Sequence, residues 1–245
     1  MKIGILTTGF VHPSLVDQFG EYAPMFEALF HRIDPALEFE SWPVLDNVFP
    51  DDVTACDAWL VTGSKFGVYD PEPWIPRLKQ ILVDIRAAGL PIVGVCFGHQ
   101  IAAEAFGGRA EKSTKGWGAG AHNYRITHRP VWMADAPASF AMHAMHQDQV
   151  TQLPDDATIL AQSEFCPIAM AAYGEPDAPD AITIQPHPEF FRDYAESLVN
   201  LRADLIGSDR IEAVRESFGG SIAHDDFVRW VLAYLAAFRG RRAAA

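Results

Sequence analysis

The chain has 245 residues, enough for one large domain, and its 49% hydrophobic and 21% charged residues allow a sizeable core under an ordinary globular surface. Acidic residues outnumber basic ones 32 to 19, and the net charge of −13 argues against nucleic acid or an anionic membrane surface as partner. No apolar run reaches the roughly 18 residues of a membrane span, and Cys56, Cys96 and Cys166 form neither a C-x-x-C pair nor a disulfide framework.

The apolar start Ile3-Gly4-Ile5-Leu6 is too short for a secretory signal and runs into Thr7 and Thr8. Residues 2–8 therefore read as a first strand, and a cytoplasmic location is expected. Residues 36–42, 57–63 and 90–95 are further short apolar runs without strict alternation, the pattern of parallel strands covered on both faces. Between them, 22–33 places Met25, Phe26, Leu29, Phe30 and Ile33 at helical spacing, and 74–88 does the same with Ile75, Leu78, Ile81, Leu82 and Ile85. This alternation predicts an α/β fold with an open, mostly parallel sheet and helices on both faces. After about residue 108 the texture changes. Segments near 119–127 predict antiparallel strands added to the sheet, and 157–171 and 180–185 are further strand candidates. From Asp193 the chain reads helical. Leu198, Leu201, Leu205 and Ile206 mark one apolar stripe; Phe227, Val228, Val231, Leu232, Leu235 and Phe238 mark a second, capped by Asp225 or Asp226. The simplest partition is one compact domain over 1–192 with a helical extension, 193–245, packed on it.

The sharpest chemical signal is Gly94-Val95-Cys96-Phe97-Gly98-His99-Gln100, which follows an apolar strand and precedes a helical run. This is the thiol form of a nucleophile elbow. Glycines two residues either side of the cysteine permit a strained strand-to-helix turn. The turn lifts the sulfur above the strand's carboxyl end and sets it at a helix N-terminus, where thiolate is favoured. The second signal is Gln185-Pro186-His187-Pro188-Glu189-Phe190. His187 can take the thiol proton and return it to a leaving amine, Glu189 can orient the imidazole, and the flanking prolines restrict the loop. Alone, a loop histidine between prolines is ordinary; the cysteine elbow gives it a purpose.

Together the two motifs resemble the class I glutamine amidotransferases, over roughly residues 1–190, and are closest in character to stand-alone chains similar to the glutaminase domain of GMP synthase. The resemblance implies a flavodoxin-like fold and a Cys96–His187–Glu189 triad. It implies that Gln100 binds the substrate's amino-acid end, and that Thr62-Gly63-Ser64 forms an oxyanion loop whose Gly63 N–H acts with that of Phe97. Ser64 and Trp117, the latter in Gly116–Gly120, fall where the family contacts substrate. Met145–Val150 resembles the family's H-x-D-x-V segment, for which a structural role of His146 and Asp148 stands beside a substrate contact. His99 is expected to pack or cap, and Cys56 and Cys166 to pack as small hydrophobes. The histidines show no metal-ligand spacing, and the implied chemistry requires no metal or organic cofactor.

Neither a P-loop nor a chain segment suited to an ATP-binding synthetase half is evident. Three readings follow. The first is a glutaminase that releases ammonia from glutamine through a Cys96 γ-glutamyl thioester, for a separate synthetase subunit. The second is a self-sufficient γ-glutamyl peptidase, similar to plant enzymes that share the C-F-G-H-Q elbow and act on glutathione-type conjugates. The third is a non-catalytic binding or regulatory relative, disfavoured because every triad position is filled. All three expect a small-molecule ligand, and a homo-oligomer stays open.

Overall fold

A computed structural model describes residues 1–244, with side chains to Gly240. The first half of the chain runs β1 (Lys2–Thr7), α1 (Pro13–Phe19), α2 (Tyr22–His31), β2 (Glu38–Pro43), β3 (Ala58–Val61), α3 (Trp74–Ala87), β4 (Ile92–Val95) and α4 (Phe97–Ala105). Six strands follow: β5 (Arg109–Lys112), β6 (Gly118–Ile126), β7 (Ser139–His146), β8 (Asp148–Gln152), β9 (Ala157–Gln162) and β10 (Met170–Tyr173). The chain closes with β11 (Ala181–Ile184), α5 (Arg192–Leu201), α6 (Ala203–Ile206), α7 (Ile211–Glu216) and α8 (His224–Ala244). Among the described residues no helix is long and apolar enough to cross a membrane.

Nine strands form one open sheet in the order β2-β1-β3-β4-β11-β10-β9-β6-β7, while β5 and β8 pair separately. From β2 to β11 every pairing is parallel; from β11 onward every pairing is antiparallel. The expected antiparallel addition is thus a full half of the sheet. The stretch 157–171 is two strands rather than one, because Ser163 turns the chain: its backbone N–H donates to the Cys166 carbonyl and its hydroxyl accepts from the Cys166 N–H. The run 36–42 also departs from expectation. β2 is the sheet's edge strand, and Glu38, Glu40 and Ser41 are exposed rather than covered on both faces.

Side chains on the parallel strands alternate between two cores. Ile3, Ile5, Leu60, Val93 and Val95 point into one with α2 and α8; Leu6, Val61 and Ile92 point into the other with α3 and α4. The helical end of the chain therefore covers a face of the sheet. Phe227, Val228, Val231, Leu235 and Phe238 are all buried there, and Tyr234 donates its hydroxyl to the Asp180 carbonyl at 2.9 Å. Asp225 and Asp226 do not cap α8. The helix begins one residue earlier, at His224, and Asp225 instead forms a two-bond ion pair with Arg32. The other predicted stripe is split: Leu198 and Ile206 are buried, but Leu201 and Leu205 are 44% and 61% exposed.

From β1 the chain steps to β2 on one side and returns to β3 on the other. That reversal leaves a crevice beyond the carboxyl ends of the strands, where open α/β sheets bind ligands.

Candidate active site

Cys96 stands between β4 and α4 with φ 54° and ψ −101°, a conformation that non-glycine residues rarely occupy. Close packing around it requires the flanking glycines. A Cβ on Gly94 would lie 2.5 Å from the Gly98 carbonyl oxygen, and one on Gly98 would run into the Val61 carbonyl of β3. The elbow is thus pressed against the neighbouring strand, and Gly98 N–H donates to the Thr62 carbonyl at 3.1 Å.

The adjoining loop is fixed from the other side by a residue whose role has no sequence signal. Thr8, just beyond β1, donates its backbone N–H to Thr62 Oγ1 at 3.0 Å, and its hydroxyl donates to the Gly63 carbonyl at 3.0 Å. Gly63 lies against both Cys96 and His187. A Cβ there would stand 2.8 Å from His187 Cε1 and 3.6 Å from Cys96 Cβ. Among the described residues, the backbone N–H groups of Gly63 and Phe97 have no hydrogen-bond acceptor. The Phe97 ring faces away, buried against Trp74.

His187 comes from the loop after β11, which is parallel to β4 and adjacent to it. Its backbone N–H donates to the His143 carbonyl at 2.8 Å, and its Nδ1–H donates to Glu189 Oε1 at 2.7 Å. Phe190 stacks on the imidazole at 3.9 Å with 5° between planes. Burial opposes charge on this ring, yet the Glu189 carboxylate and the nearby Cys96 sulfur outweigh burial and raise its pKa to about 10. The structure thus brings Cys96, His187 and Glu189 together, with the imidazole favoured as its cation. Cys56 and Cys166 are different: burial pushes their thiols up to about 11 and about 12, and both pack in the cores.

Cys96 lies at the base of a cleft of about 450 Å³ whose wall includes Ser64, Gln100, Trp117, His146 and Asp148. Gln100 gives Nε2 hydrogens to the Asp148 carbonyl and to Gln185 Oε1, which leaves its own Oε1 without a hydrogen-bond partner among the described residues. His146 donates Nδ1–H to the Asp148 carbonyl, and burial lowers its pKa to about 3, so the ring is neutral with an unprotonated, unpartnered Nε2. Ser64 Oγ accepts from the Phe66 N–H. His99 faces away from the cleft. It donates Nε2–H to the Ile168 carbonyl and accepts from Thr183 on Nδ1, and burial lowers its pKa to about 4. Tyr69, Lys65, Lys112 and Arg202 also border the cleft and carried no motif. Tyr69 donates its hydroxyl to Asp148 at 2.8 Å, and the Arg202 guanidinium lies over the Trp117 ring.

Fold and cleft define a doubly wound α/β protein with a cysteine elbow at the carboxyl end of its sheet. The model of the class I glutamine amidotransferase family matches residues 47–198, and the chain belongs to that family. It is 30% identical over 193 residues to gamma-glutamyl peptidase 3 of Arabidopsis thaliana, covering 74% of each chain. It is 28% identical over 148 residues to the glutamine-hydrolyzing GMP synthase of Thermomicrobium roseum, 60% of this chain but 25% of that protein. A glutamine amidotransferase structure from Thermotoga maritima superimposes with a TM-score of 0.72 at 18% identity, covering 96% of both chains. One from Methylobacillus flagellatus also gives 0.72, at 17% identity, over 98% of this chain and 94% of that one.

Proposed function

We propose that the protein is a cysteine hydrolase of γ-glutamyl amide bonds. The observation that carries this reading is the packing of Gly63 against both Cys96 Cβ and the His187 ring, with His187 bonded to Glu189 at 2.7 Å. Cys96 thiolate attacks the γ-carbonyl carbon, and the C–N bond breaks as His187 delivers its proton to the departing amine. Water then adds to the γ-glutamyl thioester, losing a proton to His187; the C–S bond breaks, and glutamate and the thiolate–imidazolium pair are restored. The free N–H groups of Gly63 and Phe97 suit the oxyanion of each tetrahedral intermediate, where one donor contributes about 2.7–4 kcal/mol. Gln100 Oε1, an acceptor open to the cleft, suits the substrate's α-ammonium group. Ser64 and Trp117 supply further cleft wall.

The leaving amine is an amino acid or peptide in the reading favoured by the γ-glutamyl peptidase relatives, whose length this chain matches closely. Ammonia from glutamine, passed to a separate synthetase subunit, is the second reading and is favoured by the GMP synthase relative. The test is a panel on the purified protein alone: glutamate release from γ-glutamyl dipeptides and ammonia release from glutamine, with Cys96→Ala as control. Wild-type turnover and labelling at Cys96 by a glutamine-like diazo-ketone are expected, and both vanish in the variant. Glutamate release that persists in Cys96→Ala removes the mechanism.

A further inference from the structure

A second cavity of about 480 Å³ adjoins the catalytic cleft and shares Lys65, Phe66 and Arg202 with it. Its walls are apolar: Phe10, Val11, Val16, Leu45, Leu198 and Leu201. Phe10 and Leu201 are 54% and 44% exposed, unusual for large apolar side chains unless something covers them. The polar groups on the wall, Glu21 and His12, are engaged locally. Glu21 accepts from the Val11 N–H at 2.9 Å, and His12 bonds to Ser14.

The position of this annex relative to the reactive groups indicates what enters it. Tyr22 on its wall stacks on Phe190, which stacks on His187, so the annex lies on the imidazole side of Cys96. Gly9, also on its wall, backs onto the Gly63 carbonyl. Gln100, Trp117 and His146 border the cleft only. Cleavage requires the leaving nitrogen to face the imidazole that protonates it. The glutamyl part therefore extends toward Gln100 and the leaving part toward the annex. At the neck stand Lys65 and Arg202. Among the described residues neither is in an ion pair; each lies over an aromatic ring, Phe66 and Trp117 respectively. Ammonia would use none of this.

We infer that the annex is a leaving-group subsite, and that the substrate is a γ-glutamyl peptide whose second residue is an apolar amino acid, its side chain in the annex and its carboxylate between Lys65 and Arg202. This deepens the hydrolase reading and rests on it. Apolar burial supplies affinity and the neck cations supply orientation.

Binding to Cys96→Ala protein tests the subsite without turnover. Calorimetry with γ-glutamyl-leucine, γ-glutamyl-glycine, γ-glutamyl-isoamylamine and glutamine separates the side-chain contribution from the carboxylate contribution. The leucine dipeptide should bind at least about tenfold more tightly than the glycine dipeptide, in the range expected for filling an apolar pocket. It should also bind more tightly than the isoamylamide, which lacks the carboxylate. Leu201→Asp or, independently, Phe10→Asp should erase the leucine-over-glycine preference; both sites are exposed, so folding is spared. Equal binding of the two dipeptides, or a preference that survives both substitutions, overturns the inference. If the preference is present but wild-type protein cleaves neither γ-glutamyl peptides nor glutamine, the hydrolase reading fails instead, whereas cleavage of glutamine alone overturns the inference. Cleavage of all γ-glutamyl peptides without preference sinks the subsite alone.

Discussion

Alanine at position 63 probes the closest contact in the site. Its Cβ would stand 2.8 Å from His187 Cε1, where ordinary contact begins near 3.4 Å, so the ring or the loop must yield about 0.6 Å (3.4 − 2.8). The ring has little room to retreat. Phe190 is stacked 3.9 Å behind it, and Nδ1 is tied to Glu189 at 2.7 Å. Misplacing reacting groups by about 1 Å can cost ~10²-fold in rate, so a shift of this size should lower kcat/KM by roughly ten- to a hundredfold. Gly63 has no positive φ, and alanine adds no backbone strain. The thermal midpoint should therefore fall by no more than about 2–4 °C, the shift that roughly 1 kcal/mol produces in a domain of this size. Steady-state kinetics on a γ-glutamyl substrate, diazo-ketone labelling rates and a melting curve together decide the matter. A variant within twofold of wild type in both rates would show that His187 does not work against Gly63, and the geometry argued for catalysis would be wrong.

Glu189→Gln removes a charge that raises the His187 pKa, so the imidazolium should be lost at lower pH. Acylation needs that proton for the leaving amine, and the alkaline limb of kcat/KM should move down from the region of pH 10 toward neutrality; an unmoved limb would refute the assignment. The same linkage has a stability sign: a folded-state pKa raised from 6.5 stabilises fully below about pH 6.5 and fades as pH rises toward 10. Urea unfolding should therefore show a larger loss in Glu189→Gln at pH 6 than at pH 10. His224→Ala deletes the donor to the Pro188 carbonyl and should lower kcat about tenfold with little change in KM, while His224→Asn, which keeps an N–H donor, should recover most of it. Tyr234→Phe removes the hydroxyl joining α8 to the Asp180 carbonyl and should cost about 1 kcal/mol in thermal unfolding with kcat/KM unchanged.

The parts of this molecule legible from sequence are those whose physics is local. Buried parallel strands must be short apolar runs, and the elbow needs its two glycines within two residues of Cys96, so both leave a dense mark. The antiparallel half is different. β7, Ser139–His146, carries Met142, His143, Met145 and His146 rather than β-branched residues, so its composition does not mark it as a strand. In the structure His143 spends its Nδ1–H on the Phe190 carbonyl at 2.6 Å, a partner set by the fold and not by spacing. Thr8 and Thr62 meet from 54 residues apart, and Lys65 and Arg202 share a cavity neck from opposite ends of the chain; no periodicity encodes such pairs. Leu201 and Leu205 share an apolar stripe with buried Leu198 and Ile206, yet they stand exposed on cavity walls, because spacing cannot tell a covered apolar face from the lip of a cleft.

His187 and Glu189 sit on a loop, and loops place side chains less firmly than helices or strands. Prolines narrow the backbone at 186 and 188, but they do not fix where the segment lies. That is done by contacts from elsewhere. His143 on β7 takes the His187 N–H on its carbonyl and gives its ring N–H to the Phe190 carbonyl. His224, the first residue of α8, donates to the Pro188 carbonyl at 2.7 Å and stacks on Phe191 at 4.5 Å, and Arg32 lies over the same phenyl ring while paired with Asp225. The start of α8 is held in turn, since Ala223 N–H donates to the Ala141 carbonyl of β7. The family model's match ends at residue 198, and Ala223, His224 and Asp225 lie beyond it. His187, the proposed base, is therefore positioned by residues that no catalytic motif contains, and its geometry depends on α8 seating correctly on the sheet.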